Sequence, residues 1–193
     1  MPPRPSKNEQ RRRIVQCAFQ VLARDGLESF AMRRVAQEAG CTIGLINHWF
    51  SSKEDLVTAA WNEALERENA RSADVLSTDA FSVASLLARS LPINEALRQE
   101  ALVWLAFRAL SLSNPTVRTA CRRRFALGRR MLGDLLANGR PRSRQDEIAA
   151  ETMIAAMEGI TIMAALDPGR WSAQRQRQAL KALLEPLLAA HRS

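Results

Sequence analysis

Apolar residues recur along this chain at helical spacing, and no segment alternates the way a half-buried strand does. Ile14, Cys17, Ala18, Val21 and Leu22 follow the i, i+3, i+4, i+7, i+8 rule of an amphipathic helix. Gly26 stands where such a helix stops. A short apolar set, Val35, Ala36 and Ala39, is closed by Gly40, and Thr42 can cap a third helix carrying Leu45, Ile46 and Trp49. Ser51 precedes Glu54 by three residues and Ser52 precedes Asp55 by three. Either pair can open a longer helix containing Leu56, Ala59, Ala60 and Leu65. Further helices are expected near 79–91, 94–113, 115–138, 144–166 and 172–191, separated at Leu91-Pro92, Asn114-Pro115, Asn138 to Pro141 and Asp167 to Gly169. Pro186 should kink or shorten the last of them. The expected fold is all-α with about nine helices.

Two short helices joined by a glycine-containing turn, over Phe30 to Phe50, have the grammar of a helix-turn-helix, in which the small Ala36 lets the pair cross closely. The second helix of such a unit lies in the major groove of DNA. Ile43, Gly44, Asn47 and His48 share the side away from Leu45, Ile46 and Phe50. Asn47 can pair with adenine, and His48 can reach a base edge or a phosphate. Arg33, Arg34 and Lys53 open neighbouring helices, where cations can meet phosphates. Arg11, Arg12 and Arg13, with the basic tail before them, either grip DNA or form a solvated helix start.

Composition adds three constraints. Hydrophobic residues make up 47% and charged residues 25%, so the chain can bury a core. A formal charge of +8 points to a polyanionic partner. Residues 1–60, however, hold nine basic and six acidic side chains, so most of the excess lies elsewhere. Arg122, Arg123, Arg124, Arg129 and Arg130 form a second basic patch, read as a solvated face or an interface pairing. Three dispersed cysteines and two distant histidines give no zinc spacing and no disulfide framework. No catalytic triad, carboxylate pair or phosphate loop is readable, so neither an enzyme nor a cofactor is expected. No signal peptide and no run of 18 apolar residues occurs, and the expected setting is the cytoplasm, away from membranes.

The string Arg33 to Leu56 (RRVAQEAGCTIGLINHWFSSKEDL) resembles the signature of the TetR family of bacterial regulators, an I/V-A-x-x-A-G-V-S core followed by Y-x-x-F-x-x-K-x-x-L. The resemblance implies DNA contacts from Arg33, Arg34, Thr42, Ile43, Gly44, Leu45, Asn47, His48, Trp49 and Lys53. Some positions depart from the pattern. Ala31 replaces the usual Thr, Cys41 replaces Val, Thr42 replaces Ser, Asn47 replaces a phosphate-binding Tyr, and Trp49 stands at a Tyr or His position. Trp104-Leu105-Ala106-Phe107, Asn114-Pro115 and the arginine-rich helix after them resemble the betaine-regulator (BetI) branch, as does Ile43 to His48. That branch represses choline-to-betaine genes and is relieved by choline.

The resemblance implies a DNA-binding domain over 1–52 and a ligand-binding and dimerisation domain over 53–193. Trp104, Phe107, Met153, Met157, Glu158 and Trp171 could line a cavity for choline or another quaternary ammonium, since aromatic faces beside a carboxylate attract such a cation. For each of them taken singly, ordinary core is the favoured reading. Residues 148–166 are apolar on nearly every side, and Leu180, Leu183, Leu184, Leu187 and Leu188 form a stripe beyond them. A helix apolar all round must be covered all round. The resemblance supplies the cover, a homodimer through the two C-terminal helices, which offers two recognition helices to a palindromic operator. A regulator answering to a drug or lipid, an activator, and a helical scaffold without DNA binding are the alternatives.

Overall fold

Among the residues that the computed structural model describes, 6–76 and 82–189, the chain forms nine α-helices and no strand. They are α1 (Lys7–Ser29), α2 (Met32–Ala39), α3 (Ile43–Trp49), α4 (Lys53–Leu76), α5 (Val83–Ala88), α6 (Glu95–Ser113), α7 (Pro115–Ala137), α8 (Arg144–Leu166) and α9 (Ala173–Ala189). The protein is all-α, as the periodicity predicts.

Local chemistry sets the boundaries. Ser6 and Glu9 form a reciprocal capping box at the start of α1, with bonds of 2.6 and 3.2 Å. Gly26 takes φ 73°, which breaks α1, but a last helical turn resumes through Ser29 rather than stopping there. Gly40 ends α2 in the left-handed region at φ 62°. Its N–H donates to the Gln37 carbonyl, and that of Cys41 donates to the Ala36 carbonyl, the paired bonds that satisfy a helix C-terminus. Of the two possible boxes before α4, Ser52 and Asp55 are the capping pair. The Asp55 N–H donates to the Ser52 hydroxyl at 3.1 Å, while the Asp55 carboxylate accepts from the N–H and hydroxyl of Ser51. The helix expected at 79–91 is the shorter α5, opened by a Ser82–Ser85 box, and residues 79–81 lie outside the described residues. α9 continues through Pro186 to Ala189, the last described residue, and the proline leaves the Ala182 carbonyl without its intrahelical donor.

Contacts divide the chain into two units. The first comprises residues 1–67 and 102–118, the second 68–101 and 119–193. In the first, Ile14, Ala18, Phe19 and Leu22 of α1 are buried, as are Phe30, Val35, Ile46, Phe50, Leu56, Val57, Trp61 and Phe107. In the second, Leu86, Leu91, Leu132, Leu136, Met153, Met157, Ile160, Leu180 and Leu184 form one apolar cluster. α8 begins on a buried carboxylate, Asp146. This group accepts from both Nη atoms of Arg140 (2.6 and 2.7 Å) and from the N–H and hydroxyl of Ser143 (both 2.7 Å). Only one side of α8 is covered. Ile148, Ala155, Gly159, Ile162, Met163 and Leu166 are exposed along the other.

Candidate nucleic-acid interface and effector residues

The helix-turn-helix is built from the inside out. Ile46 and Phe50 are buried, Leu45 and Trp49 half-buried, and these four fix the inner side of α3. With the inner side held, Thr42, Ile43, Gly44, Asn47 and His48 are exposed together on the opposite side. The Thr42 hydroxyl accepts from the Leu45 N–H at 3.3 Å, so the helix start is set by its own side chain. Ala31 at the start of α2 makes no such bond, and that helix enters without a side-chain cap.

The expected DNA-contacting residues divide into committed and open groups. The guanidinium of Arg34 donates to Asp25 at 2.6 Å, and Arg24 bridges Asp25 (3.0 Å) and Glu38 (3.3 Å). Arg24, reinforced by Arg34, holds the Asp25 carboxyl below its ordinary range. The Lys53 ammonium donates 2.7 Å to the Leu27 carbonyl, closing the end of α1 against the start of α4. Trp49 meets His48 edge-on at 5.1 Å, and its indole N–H is buried, so it offers no donor to a phosphate. Arg33, Asn47 and His48 are exposed, and of the three only His48 has a ring contact, the one with Trp49. Arg11, Arg12 and Arg13 are exposed on α1, with Arg11 5.3 Å above the Phe50 ring. The basic tail over residues 1–5 lies outside the described residues. Burial raises the thiol pKa values of Cys17 and Cys41.

The six expected effector residues do not come together in one unit. Trp104 and Phe107 belong to the first unit and Met153, Met157, Glu158 and Trp171 to the second. Met153 and Met157 sit within the apolar cluster, with Trp171 packed against it and Arg175 5.7 Å from the Trp171 ring centroid. In the first unit Trp61, which the sequence reading passed over, stacks on Phe107 at 4.0 Å and an interplanar angle of 2°. Trp104 meets Trp61 edge-on at 5.5 Å. The Arg108 guanidinium lies 5.3 Å from the centroid of Trp104, so this ring already attracts a cation. The indole N–H of Trp61 is buried without an acceptor. Its position in the stripe of Leu56, Val57, Ala60 and Ala64 was the signal available in the sequence. Among the described residues no group of three or more His, Cys, Asp and Glu could hold a metal ion.

Residues 14–60 match the profile of the tetR family of bacterial regulatory proteins, and residues 82–189 match that of the BetI-type transcriptional repressor C-terminal region. The chain is 26% identical over 196 residues to the HTH-type transcriptional regulator PksA of Bacillus subtilis, covering 97% of this chain and 94% of the relative. It is 26% identical over 182 residues to the HTH-type transcriptional regulator BetI of Vibrio campbellii, covering 91% and 90%. A transcriptional-regulator structure from Saccharomonospora viridis, solved in complex with choline, superposes with a TM-score of 0.75 at 25% identity. It covers 92% of this chain and 96% of that one.

Proposed function

The chain belongs to the TetR family of bacterial transcription regulators, with a BetI-type C-terminal region, and on that premise we propose that it is a homodimeric, cytoplasmic repressor released from operator DNA by a small molecule. The observation that carries the reading is the exposed row Thr42, Ile43, Gly44, Asn47 and His48 on a helix whose opposite side is buried. Such a helix can enter a major groove without rearrangement, with Asn47 and His48 towards base edges and Arg33 towards a phosphate. Arg34 and Lys53 act differently. Arg34 is paired with the Asp25 carboxylate and Lys53 donates to the Leu27 carbonyl, so both also position the recognition helix. Residues 1–52 read DNA, and the rest of the chain binds the effector and dimerises. The exposed apolar side of α8, with Leu183 of α9, is the surface on which the second copy closes.

Choline or another quaternary ammonium is the effector class this reading favours. The choline-bound Saccharomonospora viridis structure supports it, and so does a tryptophan, Trp104, that already holds a guanidinium over its face. Release requires the effector to bind better to the conformation that fits DNA worse. The test is a gel-shift on the protein's own upstream DNA, titrated with salt and then choline. Saturable, salt-sensitive, sequence-dependent binding released by choline is expected. Binding that survives choline would discard the effector class alone. Replacing Arg33 and His48 by Ala should abolish the preference for the operator, whereas a scaffold would show no sequence-dependent binding and would be indifferent to both changes.

A further inference from the structure

We propose that the exposed arginine ridge of α7 is a second DNA-binding surface, one that holds the phosphodiester backbone of duplex DNA independently of the helix-turn-helix. The inference rests on the chain being a DNA-binding regulator and goes beyond the operator contacts of α3. Between residues 115 and 144 there are nine arginines and one acidic residue, Asp134, which equals the whole formal excess of +8. In α1 to α4, Arg24, Arg34 and Lys53 are bound internally, while Arg11, Arg12, Arg13 and Arg33 are exposed.

On α7, Arg118 donates to the Ser111 and Leu112 carbonyls, and four other arginines form an exposed ridge. Arg122, Arg123, Arg129 and Arg130 are all exposed. Arg129 lies 3.6 Å from an exposed carboxylate, Glu151, and the other three have no ion pair among the described residues. Arg124 differs, since it turns inward to Glu68 at 3.0 Å. Arg122, Arg123 and Arg129 border an open hollow of about 480 Å³ floored by Phe125 and Ala126.

The spacing identifies the occupant. Arg122 and Arg123 are separated from Arg129 and Arg130 by seven residues, two helical turns, which brings both pairs to one side of the helix about 10 Å apart. That is about three base steps along one strand, at about 3.4 Å each. A small anion needs convergent, buried donors, and these guanidinium groups stand exposed on an open face. A row of phosphates needs the opposite arrangement, several separated cations free to take individual partners. Four like charges within nine residues also repel one another, a cost that a polyanion removes.

The test uses the full chain and fluorescence anisotropy on two labelled duplexes, one of random sequence and one carrying the upstream operator region. The variants are R122A/R123A/R129A/R130A, the same four positions changed to Lys, and R33A/H48A. At about 50 mM salt the alanine variant should lose at least about tenfold in affinity for the random duplex, and its slope of log affinity against log salt should flatten by about 2 to 4. The lysine variant should keep the wild-type slope, which separates lost charge from lost folding. R33A/H48A should lose its preference for the operator while still binding random duplex. An unchanged slope and affinity in the alanine variant would overturn the ridge while leaving operator recognition intact. Wild-type protein that binds neither duplex would overturn both.

Discussion

Gly159 offers a direct way to test whether a second copy covers α8. The residue is exposed in mid-helix, and a Cβ built on it meets nothing within 4 Å. Within one protomer, therefore, Gly159→Glu has room. It should even stabilise the helix by about 0.5 to 1 kcal/mol, since glycine is the poorest helix former after proline. In the dimer the same residue lies in the row of Ala155, Ile162 and Met163 that the partner is proposed to cover. Two-fold symmetry places two new carboxylates in the interface, each taken from water without a cation. Leaving one such charge buried and unpaired costs about 3 to 5 kcal/mol. Even if partial hydration halves that figure, two copies amount to about 4 kcal/mol, close to a thousandfold weaker dimer at about 1.4 kcal/mol per tenfold. Sedimentation velocity over a concentration series reads the dissociation constant, and urea melts at high dilution read the protomer. The expected result is a stable monomer that has lost operator binding. A dissociation constant equal to the wild type would refute the placement of the interface, and a destabilised monomer would refute the claim that the position is free within the protomer.

Three further substitutions probe the scaffold. Ala31→Thr supplies the missing cap of α2 and should raise stability by about 1 kcal/mol, read as a shift in urea midpoint with unchanged slope. Met153→Ala removes a fully buried side chain from the second unit and should cost about 2 to 5 kcal/mol by the same melts. Asp146 supplies a pH dependence whose sign is fixed. Arg140, and after it Ser143, hold its carboxyl well below the ordinary carboxylate range. Its contribution is therefore complete above about pH 4 and is lost as the pH falls below that. Acid melts of Asp146→Ala should show a shallower decline than wild type, and an identical acid slope would rule the group out as a source.

Helix boundaries were legible where a residue's own backbone chemistry sets them. Gly40 closes α2, Thr42 opens α3, and Pro115 opens α7 because each acts within its own turn. Legibility declined where partners come from far along the chain. Arg34 and Lys53 read as phosphate contacts because a cation at a helix start has that option. Nothing local announces that Asp25, nine residues back, or the Leu27 carbonyl, 26 residues back, takes them first. The packing around the expected effector residues was hidden in the same way. Periodicity identifies the inner faces of α6 and α8 but does not say that Phe107 stacks on Trp61 while Met153 joins Leu132 and Leu180. The exposed side of α8 was legible for the opposite reason, since a helix apolar all round declares a need for cover whatever its neighbours are.

The internal bonds of the first unit constrain how an effector could act at DNA. The recognition helix is capped by Thr42 and anchored by Ile46 and Phe50. Arg34 fastens α2 to the end of α1 through Asp25, and Lys53 fastens the start of α4 to Leu27. Further along α4, Arg67 lies 4.4 Å from the centroid of Phe19 of α1, and Trp61 stacks on Phe107 of α6. To distort α3 locally, an effector would have to break several of these contacts at once. To turn the first unit as a body it need break none. On the proposed mechanism, release therefore comes from a change in the separation of two intact recognition helices, which must stay near 34 to 36 Å to enter successive major grooves. Moving such an equilibrium from about 1:99 to 99:1 takes about 5.5 kcal/mol of differential binding. That is more than one ring face gives a cation at about 2 kcal/mol, so Trp104 alone cannot drive the switch and an effector must engage further groups. Trp104→Ala should accordingly weaken release without abolishing it, as a rightward shift in the effector concentration needed to free the operator. Complete loss of release from that single change, with operator affinity intact, would contradict the shared-contact account.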